Sequence, residues 1–118
     1  MNLTIDIQAP EAQTRIIHLE GEVDVYTSMQ LKQDIARIIE EGVKFIVLNL
    51  SKVEYLDSTG LGVLIGSLKR LRENGGNLVV VSPSVRIMRV FEITGLFKIF
   101  NIYPTEAEAA QKEGFSLE

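Results

Sequence analysis

The chain has 118 residues, of which 46% are hydrophobic and none is cysteine. This length supports one packed domain, spanning residues 1–118, and is too short for two. The net charge of −4 argues against nucleic-acid binding, which uses Lys and Arg to neutralise phosphates. The lack of cysteine excludes disulfides and thiolate metal sites. Because "MNLTIDIQAPEAQTR" is no signal peptide and no apolar run reaches about 18 residues, we expect a cytoplasmic protein without a membrane partner.

The first half of the chain alternates between extended and helical patterns. Apolar residues alternate over residues 3–7 and recur over residues 16–23, which predicts two strands paired as a hairpin. "TSMQLKQDIARIIEEG" then predicts an amphipathic helix with Thr27 or Ser28 as its N-cap and Gly42 after its end.

The second half continues the alternation. "KFIVLNL" and "NLVVVS" predict buried central strands with a helix between them. "SVRIMRVFEITG" predicts a third helix, followed by a short strand near residues 97–102 and a last helix from near Pro104. The residues of the third helix expected to face inward are Val85, Ile87, Met88 and Phe91. Together these elements predict a single-domain α/β fold with an open mixed sheet and about four α-helices.

One stretch, "VEYLDSTGLGVLIGSLKRL" over residues 53–71, carries the functional signal. It places Asp57 and Ser58 at the start of a helix that follows a central strand. The first N–H groups of a helix lack internal partners and favour a carboxylate or a phosphate. The apolar face of this helix consists of Leu61, Leu64, Ile65, Leu68 and Leu71. The pattern therefore predicts an exposed hydroxyl on a polar helix tip.

The glycines of this helix need an explanation, because each costs roughly 1 kcal/mol relative to Ala in a helix interior. Gly60 and Gly62 are predicted to let another surface approach the tip closely. Gly66 is assigned to packing against the sheet. The basic residues Lys69, Arg70 and Arg72 are interpreted as a solvated helix end that complements the helix dipole.

Three other classes fit the residues less well. A serine hydrolase needs a base, but the single histidine, His18, lies in a predicted strand, and "YLDSTG" is no G-x-S-x-G elbow. A two-component receiver could use Asp57, but "LTIDIQ" lacks the acidic pair that would hold magnesium. A nucleotide-binding module could use the G-x-G at the helix start, but no GK[ST] follows it.

The whole chain resembles the STAS domain family, and within it the stand-alone bacterial anti-sigma factor antagonists. The most specific match is "DSTGLGVL" at residues 57–64. It is supported by "GEVDVYTS" at residues 21–28, "FIVLNLSKVEYLDS" before the motif, and "VFEITGL" at residues 90–96. Tyr26 departs from the family pattern, in which a smaller residue is common.

The resemblance implies a STAS-like fold and a non-enzymatic regulator that needs no cofactor. Ser58 corresponds to the serine phosphorylated by a partner that is both anti-sigma factor and serine kinase, and a PPM-type serine phosphatase removes the phosphate. Unphosphorylated antagonist binds that partner and frees the sigma factor. Asp24 corresponds to an acid beside the phosphorylated serine.

The resulting partner-binding surface comprises Asp24, Tyr26, Thr27, Ser28, Asp57, Ser58, Thr59, Gly60, Leu61 and Gly62. A monomer or weak dimer is expected. The alternative is a STAS module that senses a nucleotide or another small ligand.

Overall fold

A computed structural model describes residues 2–82 and 84–117. In these residues the chain forms a five-stranded sheet, four α-helices and one turn of 3-10 helix at Leu96–Lys98. The strands are β1 Leu3–Glu11, β2 Thr14–Val23, β3 Phe45–Leu56, β4 Asn77–Val81 and β5 Asn101–Tyr103. The helices are α1 Thr27–Glu40, α2 Ser58–Glu73, α3 Val85–Thr94 and α4 Glu106–Glu113. The predicted mixed α/β fold is confirmed.

The sheet follows the order of the sequence, β1-β2-β3-β4-β5. β1 pairs antiparallel with β2, as the predicted hairpin requires, and the other neighbouring strands are parallel. Each parallel crossover moves one position in the same direction. Because such crossovers are right-handed, α1, α2 and α3 all lie on one face of the sheet.

The main core lies between these three helices and the sheet. It contains Ile17 and Leu48 from the sheet together with Ile35, Leu64 and Phe91 from the three helices. A smaller cluster on the opposite face packs Ala109 of α4 against the sheet. The central position of β3 explains its long apolar pattern, since helices cover both of its faces.

α4 is anchored by a polar contact as well as by packing. The Glu106 carboxylate lies 2.5 Å from Nε2 of His18 and accepts a hydrogen bond of 2.6 Å from the Asn49 amide. His18 is thus a strand residue, as predicted. It shares the α4 face of β2 with Ile16, and α2 packs on the other face.

Three local predictions were wrong. Val85 is exposed, because the inward face of α3 is formed by Ile87 and Phe91 at helical spacing. Residues 96–98 form a 3-10 turn, so the strand predicted near residues 97–102 is confined to β5. Neither Thr27 nor Ser28 is the N-cap of α1: Tyr26 holds that position, and no side chain of its own caps the helix.

The glycines of α2 have opposite environments. A Cβ on Gly60 would lie 2.7 Å from both Leu56 Cδ1 and Val23 Cγ1, whereas a Cβ on Gly66 would meet nothing within 4 Å. Gly60 therefore permits the close packing of α2 on the sheet. Gly66 is exposed, so its assignment to sheet packing was wrong.

The two positions should respond oppositely to alanine. Gly60→Ala should lower the free energy of unfolding by about 1 kcal/mol or more, because overpacking outweighs the gain in helix propensity. Gly66→Ala should raise it by about 0.5 to 1 kcal/mol, since only the propensity changes. Urea denaturation of both variants tests this. A Gly60→Ala protein as stable as Gly66→Ala would contradict the packing described here.

Candidate functional site

The carboxyl ends of β2 and β3 bring two loops together. Val23 and Leu56 are register partners at the ends of these parallel strands. The N–H of Asp57 donates to the Val23 carbonyl at 3.1 Å, which joins the loop after β2 to the start of α2. The predicted proximity of the Asp24 loop and the helix tip is a consequence of this pairing, and it lies where open α/β sheets place their sites.

Asp24 organises the loop between β2 and α1. Its side chain is buried, with 4% exposure, and Oδ1 accepts hydrogen bonds of 2.9 Å from the N–H groups of Tyr26 and Thr27. The Thr27 hydroxyl accepts from the Asp24 N–H at 2.9 Å and donates to the Glu22 carbonyl at 2.7 Å. Asp24, three residues before the helix, thus performs the capping predicted for Thr27 or Ser28.

These hydrogen bonds favour the charged carboxylate. The N–H of Thr27 lowers the pKa of Asp24 below its ordinary value of 3.8; burial opposes this shift, and the Tyr26 N–H adds to it. Because the folded pKa is the lower one, the charge stabilises the loop above pH 3.8, and this contribution is lost as the pH falls through the folded pKa. Asp24 is therefore an anion at neutral pH.

The α2 tip has the predicted geometry. Asp57 is the N-cap, with extended backbone, and its carboxylate accepts from the Gly60 N–H at 3.0 Å. Ser58 is the first helical residue, and both it and Thr59 are exposed. The N–H groups of this first turn have no preceding helical carbonyl to bond. The Ser58 hydroxyl thus faces solvent at the positive end of the helix dipole.

The predicted surface residues differ in accessibility. Exposed members are Tyr26, Ser58, Thr59 and Gly62; half-buried members are Thr27 and Asp57; buried members are Asp24, Ser28, Gly60 and Leu61. An approaching protein can touch the exposed members directly. The buried ones shape the surface from beneath, and the close approach expected at Gly60 is made by Val23 and Leu56 of the chain itself.

Two exposed apolar side chains were missed by the sequence analysis. Val25 is 51% exposed and Met29 is 63% exposed, on either side of Tyr26, which is 80% exposed. The sequence contains a signal for them, because apolar residues interrupt the otherwise polar loop and the start of α1. Together they add an apolar rim to the tip.

The single histidine of the chain lies away from the α2 tip. His18 is bound to Glu106 on the sheet face opposite α2, so it does not serve as a base for Ser58. Within residues 2–82 and 84–117, no group of acidic or histidine side chains could hold a metal ion. Over the same residues no helix is long and apolar enough to cross a bilayer. What the tip offers is an accessible hydroxyl that directly follows a capping carboxylate, Asp57.

Comparison with known proteins matches the STAS domain model over residues 5–109. The anti-sigma-B factor antagonist of Listeria monocytogenes is 38% identical over 109 residues, which cover 92% of this chain and 95% of that protein. An anti-sigma factor antagonist from Mycobacterium paratuberculosis superposes with a TM-score of 0.81 at 30% identity, covering 94% and 93% of the two chains.

A third match is the Bacillus cell fate determinant SpoIIAA in its phosphorylated form. It superposes with a TM-score of 0.74 at 26% identity, covering 92% of this chain and 98% of that one. The family model, the sequence relative and both structures match nearly the whole chain, so the matched region is the complete fold and not one motif. The chain belongs to the STAS domain family and is similar throughout to its anti-sigma factor antagonists.

Proposed function

We propose that this protein is a phosphorylation-switched anti-sigma factor antagonist. Unphosphorylated, it binds a serine-kinase anti-sigma factor and releases the sigma factor; phosphorylation of Ser58 abolishes binding, and a PPM-type serine phosphatase restores it. The observation that carries the proposal is the exposed Ser58 hydroxyl at the start of α2. Relatives named anti-sigma-B factor antagonist, and a fold neighbour solved in a phosphorylated form, support it.

The helix tip is suited to carry a phosphate without unfolding. A phosphoserine adds about −1.5 to −2 charges, and the helix dipole offsets part of the local repulsion by about 0.3 to 1 kcal/mol. The residues that hold α2 in place, Leu64, Leu68 and Leu71, are fully buried in the main core. A group added outside that core has little effect on its packing.

The same phosphate would oppose a closely packed partner. It would join the Asp57 carboxylate on the tip and the Asp24 carboxylate beneath the neighbouring loop, which concentrates negative charge on one small area. Like charges brought together at an interface cost several kcal/mol, and each 1.4 kcal/mol lowers affinity tenfold. Binding would therefore fail while the fold persists, and under this proposal the protein is a regulator that acts by binding, not an enzyme.

A small-ligand sensor is the alternative function within the family. The two functions can be distinguished by mixing the protein with ATP and magnesium, with and without an anti-sigma factor. Phosphate transfer that requires an anti-sigma factor supports the proposal. Saturable nucleotide binding by the isolated protein, with no response to any anti-sigma factor, would favour the sensor.

Ser58 should be the phosphate acceptor. The protein is incubated with ATP, magnesium and, one at a time, the anti-sigma-B factor of Listeria monocytogenes and the serine-kinase anti-sigma factors of the source organism. Mass spectrometry should place one phosphate on Ser58 and none on Ser58→Ala, which should stay folded because Ser58 is exposed and the N-cap of α2, Asp57, is unchanged. A phosphate on Thr59 of Ser58→Ala would refute the assignment.

Asp24→Ala should slow phosphorylation or weaken anti-sigma factor binding by roughly fivefold or more, because the loop loses the acceptor of two N–H groups. Circular dichroism should still show a cooperative thermal transition. Asp34→Ala is the matched control: Asp34 is also a buried acid of this region, but it accepts from Gln30 and Arg37 within α1. Equal effects of both variants on phosphorylation would mean that Asp24 has no special role.

Phosphorylation should act locally. Backbone chemical shifts of the phosphorylated protein should change around residues 22–28 and 56–63 and stay constant elsewhere, while affinity for the anti-sigma factor falls at least tenfold, equivalent to about 1.4 kcal/mol. Ser58→Asp should weaken binding less, because a carboxylate carries less charge than a phosphate. Shift changes across the whole sheet, or undiminished affinity, would rule out this mechanism.

A further inference from the structure

A groove runs between α1 and α2 on the outer surface of the helical layer. Its volume is about 480 Å³, within the usual range of ligand and side-chain pockets. One end, at Ser28 and Thr59, adjoins the Ser58 tip, and the other end reaches Arg70. From Thr59 to Arg70 the helix rises roughly 16 Å, or three turns.

The groove exists because α2 presents glycines at that face. A Cβ on Gly62 or Gly66 would meet nothing within 4 Å, so neither glycine is required by packing inside this chain. Both have ordinary helical backbone, without positive φ. A helix former at Gly66 would stabilise α2, yet it would fill the groove. Gly66 therefore leaves open space in the groove.

The lining of the groove combines an apolar floor with a basic rim. Ile35, Ala36 and Val63 form part of the floor, while Lys32 on α1 and Arg70 on α2 stand on opposite walls. The whole chain has a net charge of −4, but the charged residues that line this groove, Lys32 and Arg70, are both basic. Arg70 also forms a long ion pair with Glu40, whose carboxylate lies 3.9 Å from its guanidinium. The groove thus complements a segment that has an apolar face for the floor and acidic residues flanking that face for the basic rim.

We propose that this groove receives an acidic amphipathic helix of the anti-sigma factor, so that the binding surface extends three turns beyond the Ser58 tip. The inference rests on the proposed function and adds the chemistry of the partner. Apolar helix faces commonly bind in grooves of this kind. Lys32 and Arg70 would select an acidic segment and steer its approach. A second copy that docks groove to groove fits less well, because the two basic rims would face each other.

The first test fills the groove with a side chain that does not disturb the packing of the core. Gly66→Leu should raise the melting temperature by roughly 2 to 5 °C and lower the affinity for the anti-sigma factor at least tenfold. Lys69→Leu is the control, since Lys69 is exposed on the same helix outside the groove, and its affinity should stay within about threefold of the unmodified protein. Calorimetric titration uses the full-length anti-sigma factor that phosphorylates Ser58.

The second test reverses the charge of the rim. Arg70→Glu should weaken binding roughly tenfold and reduce its dependence on salt, whereas Lys69→Glu, which changes the net charge equally, should change the affinity by less than threefold. Sedimentation of each variant measures self-association in parallel.

The outcomes separate the groove from the proposed function. Phosphorylation of Ser58 with unchanged affinity in Gly66→Leu and Arg70→Glu overturns the groove proposal and leaves the antagonist function intact. Variants that alter only self-association assign the groove to a second copy and also overturn it. Both proposals are wrong if the unmodified protein is neither bound nor phosphorylated by any anti-sigma factor tested, that is, the anti-sigma-B factor of Listeria monocytogenes and the serine-kinase anti-sigma factors of the source organism.

Discussion

The parallel pairing of β2 with β3 is the constraint on which the site depends. Because Val23 and Leu56 are register partners at the ends of their strands, the loop that Asp24 organises and the helix that Asp57 caps begin side by side. A shift of one residue would turn Leu56 away from the core and separate the two loops. The relative position of the two loops is therefore fixed by the sheet, whose central strands are buried on both faces.

Under the proposed function, this arrangement separates stability from regulation. The apolar side of α2 holds the helix against the sheet, and its first turn exposes the Ser58 hydroxyl next to the capping carboxylate of Asp57. Charge added at such a tip acts on whatever approaches it and not on the core beneath. Control of binding by a phosphate at Ser58, as proposed, would therefore be local.

The glycines of α2 show how one residue type has two uses in one helix. Gly60 is buried, and its missing side chain lets Val23 and Leu56 approach. Gly66 faces outward over a groove walled by Lys32 and Arg70. The first brings the helix onto the sheet, and the second keeps its outer surface concave next to the tip.

The amino-acid sequence by itself determined the succession of strands and helices, the position of Asp57 and Ser58 at a helix start, and the family, because these depend on local period, capping chemistry and motif spacing. It placed Val85 in the core and Thr27 or Ser28 at the cap of α1, since local patterns do not reveal which helix face meets the sheet or which nearby carboxylate turns inward. Only the tertiary structure placed Gly60 against the sheet and Gly66 in an open groove, and set Lys32 across that groove from Arg70. Those features arise between elements far apart in the chain, where packing and not local propensity decides what each side chain touches.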